Sequence, residues 1–137
     1  MRAIIHGPPI ALKRHRMFRI GKGIRAFNSQ HKEMDAVREI LKTQLTTVDG
    51  PVHIMAEFWM PIPASASQKT RDHLDHAYCP KKPDLDNLIK FLLDVLTGIA
   101  FHGDQQVVTI AAFKKYSIAP MTVVYVVSDI GDNEHDI

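Results

Sequence analysis

Cysteine is nearly absent from this chain: Cys79 is alone, so no intrachain disulfide can staple the fold. A reducing, cytoplasmic setting is the natural expectation. Long apolar runs are also missing, and none approaches the roughly 18 residues of a membrane-spanning helix. The N-terminus lacks the layout of a signal peptide, so no membrane role is expected. No internal repeat and no low-complexity tract is present, which excludes solenoids and collagen-like chains. At 137 residues the chain has room for one domain with a proper core, spanning 1–137, and not for two.

The most telling absence is of acid. Glu33 is the first acidic residue, yet Lys13, Arg14, Arg16, Arg19, Lys22, Arg25 and Lys32 precede it. The net charge of +2 therefore hides a strongly basic N-terminal stretch. Cations clustered this way neutralise backbone phosphates and release counterions, the footprint of a nucleic-acid surface. Gly21-Lys22-Gly23 is a turn signal between two short extended pieces, so a basic hairpin is expected over 13–32. A solvated basic loop would give the same charge pattern.

Periodicity supplies the remaining elements. Met1 to Ile5 reads as a short strand. Asn28 or Ser29 can cap a helix from Gln30 to Thr46, with Met34, Val37, Ile40, Leu41 and Leu45 as its apolar stripe. Val52 to Met60 alternates with a period of two and predicts a strand, with Val52, Ile54, Ala56 and Phe58 on one face. Residues 61–83 have the composition of a loop, in which Lys69, Arg71, Lys81 and Lys82 are candidate phosphate contacts. Gln106 to Tyr116 and Met121 to Val127 read as strands, the second buried on both faces, and 129–137 is an acidic tail. The fold class implied is α/β of the α+β type: one mixed sheet packed by two main helices.

The stretch KKPDLDNLIKFLLDVLTGIAFHGDQQVV, from Lys81 to Val108, carries the chemistry. Leu85, Leu88, Ile89, Leu92, Leu93, Leu96 and Ile99 recur at helical spacing, and Gly98 marks the stop. Asp84 and Asp86 fall at the helix start, Lys90 lies one turn beyond Asp86, and Asp104 follows the helix. Carboxylates so placed could hold a hard cation, which takes oxygen ligands, with Lys90 as a fixed positive charge beside a phosphodiester. Equally, Asp84 and Asp86 could simply cap the helix, and Asp86–Lys90 and Lys90–Asp94 could be surface ion pairs. Spacing alone does not choose. For Asp104 to join the pair, the chain must return along a helix about 18 Å long. His73, His76 and Cys79, with His102 as a fourth ligand, offer a weaker zinc alternative.

The string PDLDNLIKFLLDVLTGIAFHGDQQVV resembles the signature of the RusA family of Holliday junction resolvases, with its D-x-D-N-L-x-K context and a later acidic cluster ahead of Q-V. Asp84 and Asp86 match the paired acids, Asn87 the asparagine, Lys90 the lysine, and Asp104 the later acid. Gly103 stands where the family often has another acid, and Gln105 where a small residue is usual. The resemblance implies that Asp84, Asp86 and Asp104 bind Mg²⁺ (Mn²⁺ as substitute) and that Lys90 assists hydrolysis. It further implies a homodimer acting on branched DNA, the four-way junction of recombination and repair. The alternative from another class is a branched-DNA-binding protein without catalysis, its aspartates serving as caps.

Overall fold

A computed structural model of the chain describes residues 1–13, 16–20, 23–27 and 30–129, the segments 16–20 and 23–27 by their backbone. Strand β1 (Arg2–His6) is followed by the hairpin β2 (Arg16–Ile20) and β3 (Gly23–Phe27), helix α1 (His31–Lys42) and strand β4 (Val52–Pro61). Then come α2 (Gln68–Leu74), α3 (Leu85–Leu96), β5 (Val107–Ser117) and β6 (Met121–Ser128). Four strands form one mixed sheet in the order β1-β6-β4-β5, and β2-β3 pair separately. β6 runs antiparallel to both β1 and β4, whereas β5 runs parallel to β4. The single-domain α+β expectation stands, and the hairpin expected around Gly21-Lys22-Gly23 is present.

The parallel pair explains where α3 must lie. A chain leaving β4 and re-entering the same sheet in parallel needs a crossover, and here α2 and α3 provide it. The α3 stripe buries Leu88, Phe91, Leu92, Val95 and Leu96. It packs with Met34, Val37 and Leu41 of α1 over the sheet face made by Val52, Ile54, Ala56, Phe58, Val124 and Val126. All of the expected inward residues of β4 are in that core.

Three boundaries depart from the sequence reading. α1 ends at Lys42 instead of Thr46, because the Thr43 hydroxyl and N–H both turn back to the Ile40 carbonyl (2.7 and 3.3 Å). Its N-cap position is Gln30, and Asn28 and Ser29, expected there, lie outside the described residues. Residues 61–83 are not all loop: α2 forms inside them, capped where the Thr70 N–H meets Ser67 Oγ at 3.2 Å. The strand expected to be buried on both faces, β6, is so only at its centre, since Val127 is exposed. The acidic tail from 130 onward lies outside the described residues.

Candidate functional site

α3 begins where the sequence places the acids. Asp84 is its N-cap residue and Asp86 sits in its first turn. Carboxylates here face the positive end of the helix dipole. Asp84 pairs with Lys82 at 3.0 Å and Asp86 with Lys90 at 3.7 Å. All four side chains are at least half exposed, so these pairs add little stability. The ion pair considered between Lys90 and Asp94 is not formed among the described residues; the Asp94 carbonyl instead accepts from Arg38 Nη2 at 2.9 Å.

Two further residues build this end of the molecule, and neither carries a local signal of its role. Lys114, on β5, donates to the carbonyls of Lys81 and Pro83, each at 2.7 Å. It thereby fixes the approach to Asp84 and adds a cation beneath it. Gln30 is fully buried, takes the Lys13 N–H on Oε1 and donates from Nε2 to the Ala11 carbonyl at 2.8 Å. The Leu12 N–H donates to the Asn87 carbonyl at 2.9 Å. The basic segment therefore leaves the core from beside the first turn of α3. Lys13 is at its root and pairs with Glu33 at 3.7 Å. The side chains of Arg14, Arg16, Arg19, Lys22 and Arg25 lie outside the described residues. Lys69 and Arg71 are on α2, where Arg71 Nη2 donates to the Ala64 carbonyl at 3.1 Å. Lys81 and Lys82 flank the acids directly.

Asp104 is held elsewhere. α3 ends at Thr97, Gly98 takes φ +85°, and the Gly98 N–H closes on the Phe101 carbonyl at 2.7 Å. The Gln106 amide then locks the turn. Its oxygen accepts from the His102 and Gly103 N–H groups (2.7 and 3.1 Å), and its nitrogen donates to the Val48 and Gly50 carbonyls (3.1 and 3.0 Å). Asp104 consequently lies in a shallow groove with Thr97, Asp94 and Arg38. Asp84 and Thr97 cap opposite ends of a helix about 18 Å long. The expected return of Asp104 to the helix start does not occur within one chain. Among the described residues, no three His, Cys, Asp or Glu side chains gather as a metal-holding group.

That same finding removes the zinc alternative. Cys79 is buried against Tyr116, whose hydroxyl is pushed above its ordinary value, by the Cys79 hydrogen bond first and burial second. His76 packs edge-on against Trp59, and His102 bonds Asp49 at 2.7 Å near the far end of α3. The two departures at 103 and 105 are linked. A Cβ built on Gly103 would overlap the Gln105 side-chain amide, which occupies the space an acidic side chain there would need.

Asp84 and Asp86 alone fit a hard divalent cation. Such an ion is commonly held by one or two carboxylates, with water and substrate phosphate completing the shell, and both carboxylates here are open to solvent. The four lysines around them would draw in the polyanion such a site must receive.

The model of the endodeoxyribonuclease RusA family matches residues 6–127. The chain belongs to the RusA endodeoxyribonuclease family. It is also similar to the uncharacterized protein YqaN of Bacillus subtilis (strain 168), with 31% identity over 85 residues. That match covers 59% of this chain and 60% of the length of YqaN. Among the described residues no helix is long and apolar enough to cross a membrane.

Proposed function

We propose that this protein is a divalent-metal-dependent endodeoxyribonuclease that cuts four-way DNA junctions by paired phosphodiester hydrolysis, as a homodimer acting in recombination and repair. The observation that carries the proposal is the Asp84–Asp86 pair at the start of α3, ringed by Lys81, Lys82, Lys90 and Lys114, in a chain matched along most of its length by the RusA family. Asp84 and Asp86 would hold Mg²⁺ or Mn²⁺, which when bound activates water and offsets phosphate charge. Lys90, one turn above Asp86, stabilises negative charge developing on the phosphate. Lys81 and Lys82 lead the backbone to the acids, and Lys114 keeps the strap that carries them in place. The basic segment, rooted at Leu12 and Asn87, supplies phosphate contacts away from the cut; Lys69 and Arg71 extend that surface along α2. Two cuts in a nearly two-fold junction call for two sites about a two-fold axis, which a C2 dimer provides.

The test is nicking of a labelled four-way junction against a linear duplex of matched sequence, with Mg²⁺, with EDTA and with Asp84→Asn. Paired cuts confined to the junction and lost in both controls support the proposal. Tight junction binding without cutting would make the protein a structure-specific binder instead.

A further inference from the structure

Five of the chain's eight prolines converge on one pocket. Pro8 and Pro9 arrive from just past β1, Pro61 and Pro63 from the end of β4, and Pro83 from the strap that leads into α3. Cys79 and Tyr116, both buried and bonded to each other, form its floor, and exposed Lys81 and Lys82 stand at its mouth. No carboxylate lines it. Its volume, about 310 Å³, lies near the lower end of the range for small-molecule sites, roughly 300 to 1,000 Å³.

The walls are preformed. Proline has a fixed φ and a closed ring, so little freedom is lost when a ligand enters. Lys114 holds the Lys81 and Pro83 carbonyls at 2.7 Å each, and the Cys79 N–H donates to the Lys114 carbonyl at 3.0 Å. The strap side of the pocket is thereby pinned to β5. Flat apolar walls, a cationic mouth and no acid suit an uncharged ring that carries a phosphate. The mouth opens beside the acids: Lys82 pairs with Asp84 at 3.0 Å. Pro83 is one peptide link from Asp84, about 3.8 Å between Cα atoms. A phosphate held at Asp84 therefore leaves the base next to it within reach of the pocket.

We propose that this pocket takes one nucleobase turned out of the helix at the branch point, and so anchors the strand across Asp84 and Asp86. Turning a base out costs least where stacking is already interrupted, as at a strand exchange. Apolar side chains, proline among them, pack against base faces, while Lys81 and Lys82 meet the flanking phosphates. The pocket thus favours the branch over the continuous arms, where every base is stacked on both sides. Branched DNA as the source of the base rests on the function proposed above.

The test is a cycle between the base and the pocket. Bases flanking the branch of a synthetic four-way junction are removed one at a time, leaving an abasic sugar. Affinity is read in EDTA and nicking in Mg²⁺. Pro8→Phe and Pro63→Phe fill the pocket from two separate segments, both at exposed positions. In wild type, removal at one position should weaken binding about tenfold, the order of a single stacked base. The filled variants should bind the intact junction correspondingly less well and lose nothing further at that position. Equal losses in wild type and filled variants, or a wild type indifferent at every position, overturn the proposal. Tyr78 is the rival surface: its ring is 73% exposed, with Lys115 Nζ 4.8 Å from the centroid. If Tyr78→Ala abolishes the base dependence and the filled variants do not, the base stacks outside and the pocket is wrong. If wild type binds the junction and never cuts it, the proposed function falls, and the affinity cycle still decides the pocket.

Discussion

The Lys114 ammonium donates to the Pro83 carbonyl at 2.7 Å, so a β5 side chain holds the residue that precedes Asp84. A second bond, to Lys81 at the same distance, makes it a two-point clamp. Lys114→Met keeps the stem and removes both bonds. Hydrogen bonds to charged groups are worth about 1.5 to 3 kcal/mol, and the carbonyls left behind, on exposed Lys81 and half-buried Pro83, recover part of that from water. We expect a loss of about 1 to 3 kcal/mol in denaturant unfolding and a fall in the nicking rate at saturating junction. Unchanged stability would show that the clamp holds nothing.

Asp84→Asn separates chemistry from folding. The Asp84–Lys82 pair is exposed on both sides, so its loss should cost under about 1 kcal/mol. Cleavage should nonetheless fall at least about 100-fold, the order expected when a charge-stabilising group is lost. Junction affinity should hold or rise, because one negative charge near phosphate is gone. Equal losses in binding and cutting would return Asp84 to the role of a helix cap.

Much of the fold could be read in the sequence, and the reason differs by element. The α3 stripe and the alternation of β4 are local patterns; β4 has its inward residues as expected, whereas the α3 stripe also buries Phe91 and Val95 and leaves Leu85, Ile89 and Leu93 only partly covered. The cap on α2 and the clamp at Lys114 were not legible. Ser67 was masked by a proline- and serine-rich surrounding, and Lys114 next to Lys115 looks like any solvated strand end. The acids divide in the same way. Asp84 and Asp86 belong to one turn of one helix, so their adjacency follows from spacing. The position of Asp104 depends on Gln106 locking the turn onto Val48 and Gly50, a long-range contact with no local signature.

Gln30→Ala should strike at the root of the basic segment. The amide is buried and bonds both Lys13 and Ala11, leaving a part-buried N–H and C=O without these partners once it is removed. Such loss costs about 1 to 3 kcal/mol for each group that water cannot reach. Affinity for all DNA should drop with stability, since the segment would no longer leave the core at a fixed point. Circular-dichroism melting and binding titration on one preparation read both effects. Lost stability with full affinity would show that the root need not be rigid.

Gly103→Asp examines the coupled departure. The Gln105 amide fills the space a side chain at 103 would enter, though as the end of a flexible chain it can swing away. Gly103→Asp with Gln105→Ser should therefore fold at least as well as Gly103→Asp alone. The double substitution should also raise divalent-cation affinity more than the single one, measured by Mn²⁺ titration. Equal affinity in the two variants would show that Gln105 does not block the position.

Arg14→Ala with Arg16→Ala addresses the expectation for the basic hairpin. Each phosphate contact contributes about 0.9 to the slope of log affinity against log salt. Two lost contacts should flatten that slope by about two units and weaken junction and duplex alike, since phosphate contacts carry no sequence or branch information. Preference for the junction would then persist at lower overall affinity. An unchanged slope would remove these arginines from the DNA surface and leave Lys81 and Lys82, beside the acids, as the principal phosphate contacts.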